Sequence, residues 1–257
     1  MSWPEVKECV ENEYSVVLPV GSLEQHGKHL PLNVDYLLCE RVVREAARQS
    51  GQILVLPTLV YGRSSHHFPY CGTVSLQLET FVNIINDILF SLYKHGFTRI
   101  IIVNGHGGNR GALAAAIGKF MEKDIKHPLI FLANYYSFGV EEVNKIRESE
   151  KGGMAHAGEY ETSLSLYLQP RLVEMEKAVK RIPLSPLPEY VYADLMGDSP
   201  LSMSVSYGEK EKSIWEYTFC ESGVAGDPTV ATEDKGRKIF EIVVKYMLAF
   251  FEKMKEL

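Results

Sequence analysis

Short apolar segments alternate with longer amphipathic segments through most of this chain of 257 residues. Such alternation predicts strands interleaved with helices, the pattern of an α/β fold. The expected strands are 14–20, 53–56, 99–103 and 129–133, and the expected helices are 35–50, 78–94, about 111–123, 159–168 and a long C-terminal one soon after Asp227-Pro228. A helix connects the third and fourth strands, so these two should run parallel. The length suits one domain over residues 1–257.

Composition excludes several classes of protein. Hydrophobic residues make up 46% and charged residues 23%, near the average for globular proteins, so disorder and collagen-like repeats are excluded. With 27 basic and 33 acidic residues the net charge is −6, which disfavours a nucleic-acid partner. No stretch approaches the ~18 apolar residues of a membrane span, and the N-terminus lacks the layout of a signal peptide. We therefore expect a cytoplasmic protein with no membrane partner.

The first candidate site follows the first expected strand. The four cysteines include no C-x-x-C pair, so a metal would be held by histidines and carboxylates. Glu24 and His26 project to one side if the chain stays extended there, and Asp35 begins the next helix. Together they would form the mixed oxygen and imidazole shell that suits zinc, manganese or iron. The alternative has equal weight from spacing alone: Asp35 caps its helix and His26 is an ordinary loop residue.

The second candidate site is a glycine-rich turn, residues 104–109, after the third expected strand. Such turns lie at the carboxyl edge of a parallel sheet, where open α/β sheets bind ligands. The single histidine, His106, weakly favours a metal site. A tight turn without a ligand competes with that interpretation. A phosphate cradle is less favoured, because G-x-G-x-x-G and G-K-[ST] are both absent.

Two further segments carry candidate residues. His156 precedes an expected helix that begins with Glu159 and Glu161, although a first helical turn favours acidic residues regardless of function. The segment 64–73, with two histidines and several aromatic residues, is either a pocket wall or a surface loop. Every candidate cluster falls where a strand ends or a helix begins, so all should converge on one edge of the parallel sheet.

Several of these segments resemble the signature motifs of the creatininase (creatinine amidohydrolase) family. The motifs run in order from about residue 14 to 236. They are LPVGSLEQHG at 18–27, HLPL at 29–32 with Asp35, GTVSL at 72–76, NGHGGN at 104–109, HAG at 156–158 with Glu161-Thr162-Ser163, and GVAGDPT at 223–229. The resemblance implies an α/β three-layer sandwich with a mostly parallel central sheet, a hydrolytic centre with two metal ions, and a homo-oligomer, commonly a hexamer.

The resemblance also implies roles for single residues. The residues that match metal ligands are Glu24, His26, Asp35 and His106. Asp35 would bridge two divalent ions, zinc with manganese or iron possible at the second position, and His156 matches a catalytic histidine. This chain departs from the pattern of creatininase itself at one position. Creatininase carries a glutamate ligand there, whereas this chain has Gly108. We expect Glu159 to supply the missing carboxylate and to act with His156, with Glu161 as the second candidate.

The substrate is expected to be a small molecule. The residues expected to contact it are His67, Thr73, Gly107 and Gly108. Creatinine is disfavoured, because this chain has only Trp3 and Trp215 to match the tryptophans of creatininase's pocket. The resemblance implies that a metal-bound hydroxide attacks a carbonyl of a small cyclic amide or formamide and breaks a C–N bond. The alternatives are opening of an inositol-derived cyclic diketone, trimming of a peptide-derived redox cofactor, or a non-enzymatic module that binds a phosphorylated ligand.

Overall fold

In the part of the chain that the structure describes, four parallel strands form the central sheet, in the order β2-β1-β3-β4. The structure is a computed structural model that describes residues 1–182, 194–197 and 220–257. The strands are β1 (Ser15–Val20), β2 (Ile53–Val55), β3 (Arg99–Asn104) and β4 (Leu129–Asn134). Strand β1 is buried along its whole length because it pairs with a neighbour on each side. The expected strands and their parallel pairing are confirmed.

Among the described residues, the helices match the amphipathic segments of the sequence, with two additions. They are α1 (Trp3–Glu11), α2 (Val34–Ser50), α3 (Leu78–Lys94), α4 (Arg110–Met121), α5 (Val140–Ile146), α6 (Glu159–Leu168) and α7 (Glu233–Met254). The apolar pattern does not predict α1 and α5, although Ser2 and Glu5 form a capping box at the start of α1. Asp227-Pro228 opens a short 3-10 turn, and Thr232 is the N-cap residue of α7.

Helices cover both faces of the sheet. Successive strand residues point to opposite faces. Val17 and Ile101 pack with α2, α6 and α7, whereas Leu18 and Ile102 pack with α3 and α4. Two apolar cores therefore flank the strands, and the expected three-layer α/β sandwich is confirmed.

The carboxyl ends of three strands lie level with one another. Val20 pairs with Asn104, which in turn pairs with Asn134. The backbone N–H of Gly105 donates to the carbonyl oxygen of Val20 at 2.7 Å, so the segments after β1 and β3 leave the sheet side by side. This register brings the first two candidate clusters together.

The proline-rich segment 181–206, expected to be rich in loops, lies largely outside the described residues, as does Trp215. In the described part of the chain, no helix combines the length and the apolar character needed to cross a membrane.

Candidate metal centre

A cluster of buried carboxylates and histidines lies at the carboxyl edge of the sheet. Glu24 and His26 lie in the segment after β1, and Asp35 lies in the first turn of α2. His106 lies in the turn after β3, and Glu161 lies in the first turn of α6. The structure thus brings together residues from four separate motifs, as their positions at strand and helix ends predict.

Asp35 lies between two histidines of this cluster. Its Oδ1 is 3.2 Å from Nε2 of His26, and its Oδ2 is 3.0 Å from Nδ1 of His106. Oε2 of Glu161 is 3.7 Å from the same nitrogen of His26. Oε2 of Glu24 is 3.2 Å from Nε2 of His106. One carboxylate therefore joins two groups of donor atoms.

The donor atoms of the cluster fit divalent metal ions. Three of its buried atoms have no hydrogen-bond partner in good geometry and face only the carboxylates and imidazoles of the site, namely Glu24 Oε1, His26 Nε2 and Asp35 Oδ2. Burying a polar atom without a partner is costly, so several such atoms in one place indicate a ligand. Their neighbours lie 3.0 to 3.7 Å away, the spacing of ligand atoms that share one cation with bonds of about 2.0–2.2 Å. Imidazole and carboxylate groups suit zinc, manganese and iron.

The ring of His26 is oriented by its own segment. Nδ1 of His26 lies 3.2 Å from the carbonyl oxygen of Glu24, which can only accept a hydrogen bond. Nδ1 therefore donates, and Nε2 is directed at Asp35. A histidine that binds a metal generally donates its other ring N–H in this way.

The electrostatics of the cluster favour positive charge at its centre. Burial alone would lower the pKa of His26, but the carboxylates of Asp35 and Glu161 raise it to about 9. Against the same effect of burial, Glu24 and Asp35 raise the pKa of His106 well above its usual value. Burial raises the pKa of Glu161 to about 7. A divalent ion supplies the same positive charge and displaces protons from its ligands.

Glu159 lies outside the cluster, contrary to its expected roles as a ligand and in catalysis. Its Oε1 is 2.5 Å from Nζ of Lys235, and its carboxylate accepts hydrogen bonds from the backbone N–H groups of Glu148 and Ser149. Residues two apart on a helix do not face the same direction, so only one of the two glutamates of α6 reaches the histidines. That residue is Glu161. We therefore correct the expectation from Glu159 to the second candidate.

Gly108 occupies a position without room for a side chain. A Cβ atom there would collide with the carbonyl oxygen of Arg63 and with Nε2 of His106. The ring of His66 stacks on that of His106, with 5.6 Å between the centroids. Gly107 and Gly108 are both exposed next to the cluster, and a Cβ on Gly107 would meet no atom within 4 Å. The segment after β2 therefore fills the space that a side chain at position 108 would need.

His67 and His156 lie near the other oxygen of Glu24. Nε2 of His67 is 3.2 Å, and Nδ1 of His156 3.7 Å, from Oε1 of Glu24. Gln25 contacts both rings. Its carbonyl oxygen accepts from Nε2 of His156 at 2.8 Å, and its side-chain nitrogen lies 2.9 Å from Nδ1 of His67. Oε1 of Gln25 accepts from the backbone N–H of Gly27, which turns its NH₂ group toward the histidines.

Thr73, an expected substrate contact, lies close by, and so does His29. Oγ1 of Thr73 accepts a hydrogen bond from the backbone N–H of Gln25 at 3.2 Å. His29 is buried, and its Nε2 lies 3.0 Å from Oγ1 of Thr162. Burial lowers the pKa of His29 to about 4, so this ring is neutral near pH 7.

Sequence reasoning missed two residues of the site, Gln25 and Ser64. The hydroxyl of Ser64 donates to Oε2 of Glu24, so both oxygens of this carboxylate have fixed neighbours. Gln25 carries a partial signal, because it stands directly between two expected ligands, Glu24 and His26. Ser64 carries none, because its contact depends on how the segment after β2 folds back over β1.

Comparison with known proteins gives several relatives of similar identity. A creatinine amidohydrolase of Pseudomonas putida is 31% identical over 245 residues, which cover 88% of this chain and 93% of the relative. A 3-dehydro-scyllo-inosose hydrolase of Thermotoga maritima is 28% identical, covering 96% of this chain and 79% of the relative. A mycofactocin precursor peptide peptidase of Mycobacterium tuberculosis is 30% identical, covering 90% and 81%.

Solved structures agree with the sequence relatives. A creatinine amidohydrolase (creatininase) superposes with a TM-score of 0.81 at 28% identity, covering 99% of this chain and 95% of the other. Similar structures include a manganese creatininase, at TM-score 0.79, and a mutant creatininase of Zn-Zn type, at 0.78. The buried carboxylates and histidines described above suit divalent metal cofactors of the same kind. The creatininase profile, described as creatinine amidohydrolase, matches residues 1–251. The chain therefore belongs to the creatininase family of metal-dependent amidohydrolases.

Proposed function

We propose that this chain is a hydrolase with two divalent metal ions that breaks a C–N bond of a small cyclic amide or formamide. Glu24, Asp35 and His106 would hold one ion. His26, Asp35 and Glu161 would hold the other. The observation that carries the proposal is the placement of Asp35, whose two oxygens face two different histidines. We further propose zinc, with manganese or iron at one of the two positions.

Divalent ions supply Lewis acidity and lower the pKa of coordinated water from 15.7 towards ~7, which provides a nucleophile at neutral pH. The chain contributes three buried carboxylates, of Glu24, Asp35 and Glu161, which offset the positive charge of such ions. The remaining task is to move protons between the attacking water and the leaving group.

We assign that proton transfer to His156. Its Nε2 is occupied because it donates to the carbonyl oxygen of Gln25, so Nδ1 is the atom that faces the cluster. Burial, together with the neighbouring His26 and His67, lowers the pKa of His156 well below its usual value. The neutral ring accepts a proton at Nδ1 from the attacking water and then donates it to the leaving nitrogen.

The relatives support further candidate reactions. The inosose hydrolase matches 96% of this chain, and its identity of 28% is close to that of the creatinine amidohydrolase, 31%. Ring opening of a cyclic diketone is therefore the second candidate. Peptide cleavage is a third, since the mycofactocin peptidase is 30% identical. The residues proposed to contact the substrate are His67, Thr73, Gly107 and Gly108.

A substrate screen tests the proposal. The protein would be freed of metal with a chelator, reloaded with zinc alone or with zinc plus manganese or iron, and assayed on cyclic amides, formamides, cyclic diketones and short peptides. We expect hydrolysis of an amide or formamide that is absent after chelation and returns on reloading. Turnover that does not respond to chelation, or exclusive turnover of diketones or peptides, would contradict it. The expected hexamer is tested by measuring the mass of the same samples.

A further inference from the structure

We propose that Gln25 is a positioning residue that decides which ring nitrogens of His67 and His156 carry a hydrogen. Its backbone fixes His156 as the base, and its side chain fixes His67 as a hydrogen-bond donor to the metal ligand Glu24. The inference rests on the proposed function, because it assumes that His156 moves the proton and that Glu24 binds an ion. It adds a buried residue that acts only through its neighbours.

The amide of Gln25 is held in one orientation. Its Oε1 accepts a hydrogen bond from the backbone N–H of Gly27 at 2.9 Å, so the NH₂ group lies on the opposite side. Gly223, the first residue of the late glycine-rich motif, closes over the same oxygen. A Cβ atom at Gly223 would collide with Oε1, and the φ of +70° there also favours glycine. The positions of the amide oxygen and nitrogen are therefore set by backbone on two sides.

The backbone of Gln25 fixes the hydrogen of His156. Nε2 of His156 lies 2.8 Å from the carbonyl oxygen of Gln25, which can only accept, so Nε2 carries the hydrogen. Nδ1 keeps its lone pair and faces Oε1 of Glu24 at 3.7 Å. A base needs a lone pair directed towards the reacting groups, and Nδ1 is the atom to which the proton transfer is assigned.

The side chain of Gln25 fixes the hydrogen of His67. The amide nitrogen lies 2.9 Å from Nδ1 of His67 and 3.0 Å from Nε2 of His156. The second of these ring nitrogens is already a donor, so the amide donates to Nδ1 of His67. A ring that accepts at Nδ1 carries its hydrogen at Nε2, and this nitrogen lies 3.2 Å from Oε1 of Glu24.

The donors form one chain with a single direction. It runs from the N–H of Gly27 to Oε1 of Gln25, and from the NH₂ group of Gln25 through His67 to Glu24. Carboxylates that bind metals are generally held by such an outer partner, and loss of one typically costs about 10–100-fold in metal affinity or activity. The side chain of Gln25 therefore supports the ligand Glu24 without touching it.

Neutron diffraction from crystals of the metal-loaded wild-type enzyme tests the hydrogen positions directly. We expect a hydrogen on Nε2 of His156 and on Nε2 of His67, and none on Nδ1 of either ring. A hydrogen on Nδ1 of either histidine would overturn the proposal. This result does not depend on whether a variant folds.

Gln25→Glu tests the role of the side chain. It keeps the shape but replaces the NH₂ group by an oxygen that only accepts, so neutron maps of this variant should show a hydrogen on Nδ1 of His67. In the metal-loaded state we expect kcat to fall by about 10–100-fold with KM nearly unchanged, because Gln25 acts through a metal ligand. Gln77→Glu is the matched control and should behave as wild type, since Gln77 is exposed and its side chain does not cap α3.

The outcomes separate this inference from the function on which it rests. A wild-type kcat in Gln25→Glu, or a rise in KM without a fall in kcat, would overturn the role of the side chain and leave the metal centre intact. Wild-type enzyme without metal-dependent turnover would instead overturn the proposed function. The hydrogen positions of His67 and His156 would still be decided by the wild-type neutron maps.

Discussion

Oδ2 of Asp35 lies 3.0 Å from Nδ1 of His106, while the second oxygen of the same carboxylate faces another histidine. A carboxylate in this position can bind one ion with each oxygen, which an amide cannot. We expect Asp35→Asn to lose at least one ion per chain and to reduce kcat/KM by at least about 100-fold, because even indirect partners of metal ligands cost 10–100-fold. Elemental analysis and steady-state kinetics measure both effects. Asp87→Asn, an exposed residue of α3, is the control, and two ions retained in Asp35→Asn would contradict the bridging role.

Substitutions of the two glutamates of α6 should affect different properties, metal binding in one case and stability in the other. Glu161→Gln should weaken binding of the ion next to His26 and leave the melting temperature of the metal-free protein nearly unchanged. Glu159→Gln should keep both ions but destabilise the fold by about 3 kcal/mol, because it removes the buried ionic partner of Lys235 and leaves only the exposed carboxylate of Glu148. Metal content and thermal unfolding distinguish the two. The reverse pattern would restore Glu159 as the ligand.

Position 108 should not tolerate a side chain. In Gly108→Ala the new Cβ would collide with the carbonyl oxygen of Arg63 and with the ring of His106, so we expect a loss of about 1–3 kcal/mol and weaker metal binding. Gly111→Ala is the matched control, because a Cβ there meets nothing within 4 Å and alanine stabilises a helix by up to ~1 kcal/mol. Equal melting temperatures for the two variants would contradict this prediction. They would show that the segment after β2 can move to make room for a methyl group at position 108.

Removing the proposed proton donor should separate metal binding from turnover. His156→Ala should retain both ions at Asp35 and lower kcat by about 10²–10⁴-fold. Metal analysis and kcat are measured on the same sample, with His95→Ala as the exposed control. Full activity of His156→Ala would exclude this residue from the proton transfer.

The fold could be read from the sequence wherever apolar periodicity was strong. Strand β3 and helix α3 are strongly patterned and lie where predicted. Helix α5 is short and was missed, because seven residues carry too little periodicity to stand out. Asp227-Pro228 has the composition of a helix start, yet the chain makes a 3-10 turn there before Thr232 caps α7. Local composition therefore located this boundary only to within a few residues.

The sequence predicts the site only through the positions of the strand and helix ends on which its residues lie. The convergence of Glu24, Asp35 and His106 follows from parallel strands whose ends lie level. The choice between Glu159 and Glu161 could not be made, because it depends on the direction in which the first turn of α6 leaves the preceding loop. In that loop Ala157 has a φ of 54°, a left-handed conformation that a non-glycine residue rarely adopts and that no sequence motif signals.

The most direct test of the central claim is anomalous diffraction from crystals of the protein loaded with near-stoichiometric metal. We predict two ions, both within about 2.0–2.2 Å of oxygens of Asp35. One should also contact His26 and Glu161, and the other Glu24 and His106. A single ion, or two ions of which either makes no contact with Asp35, would contradict the account.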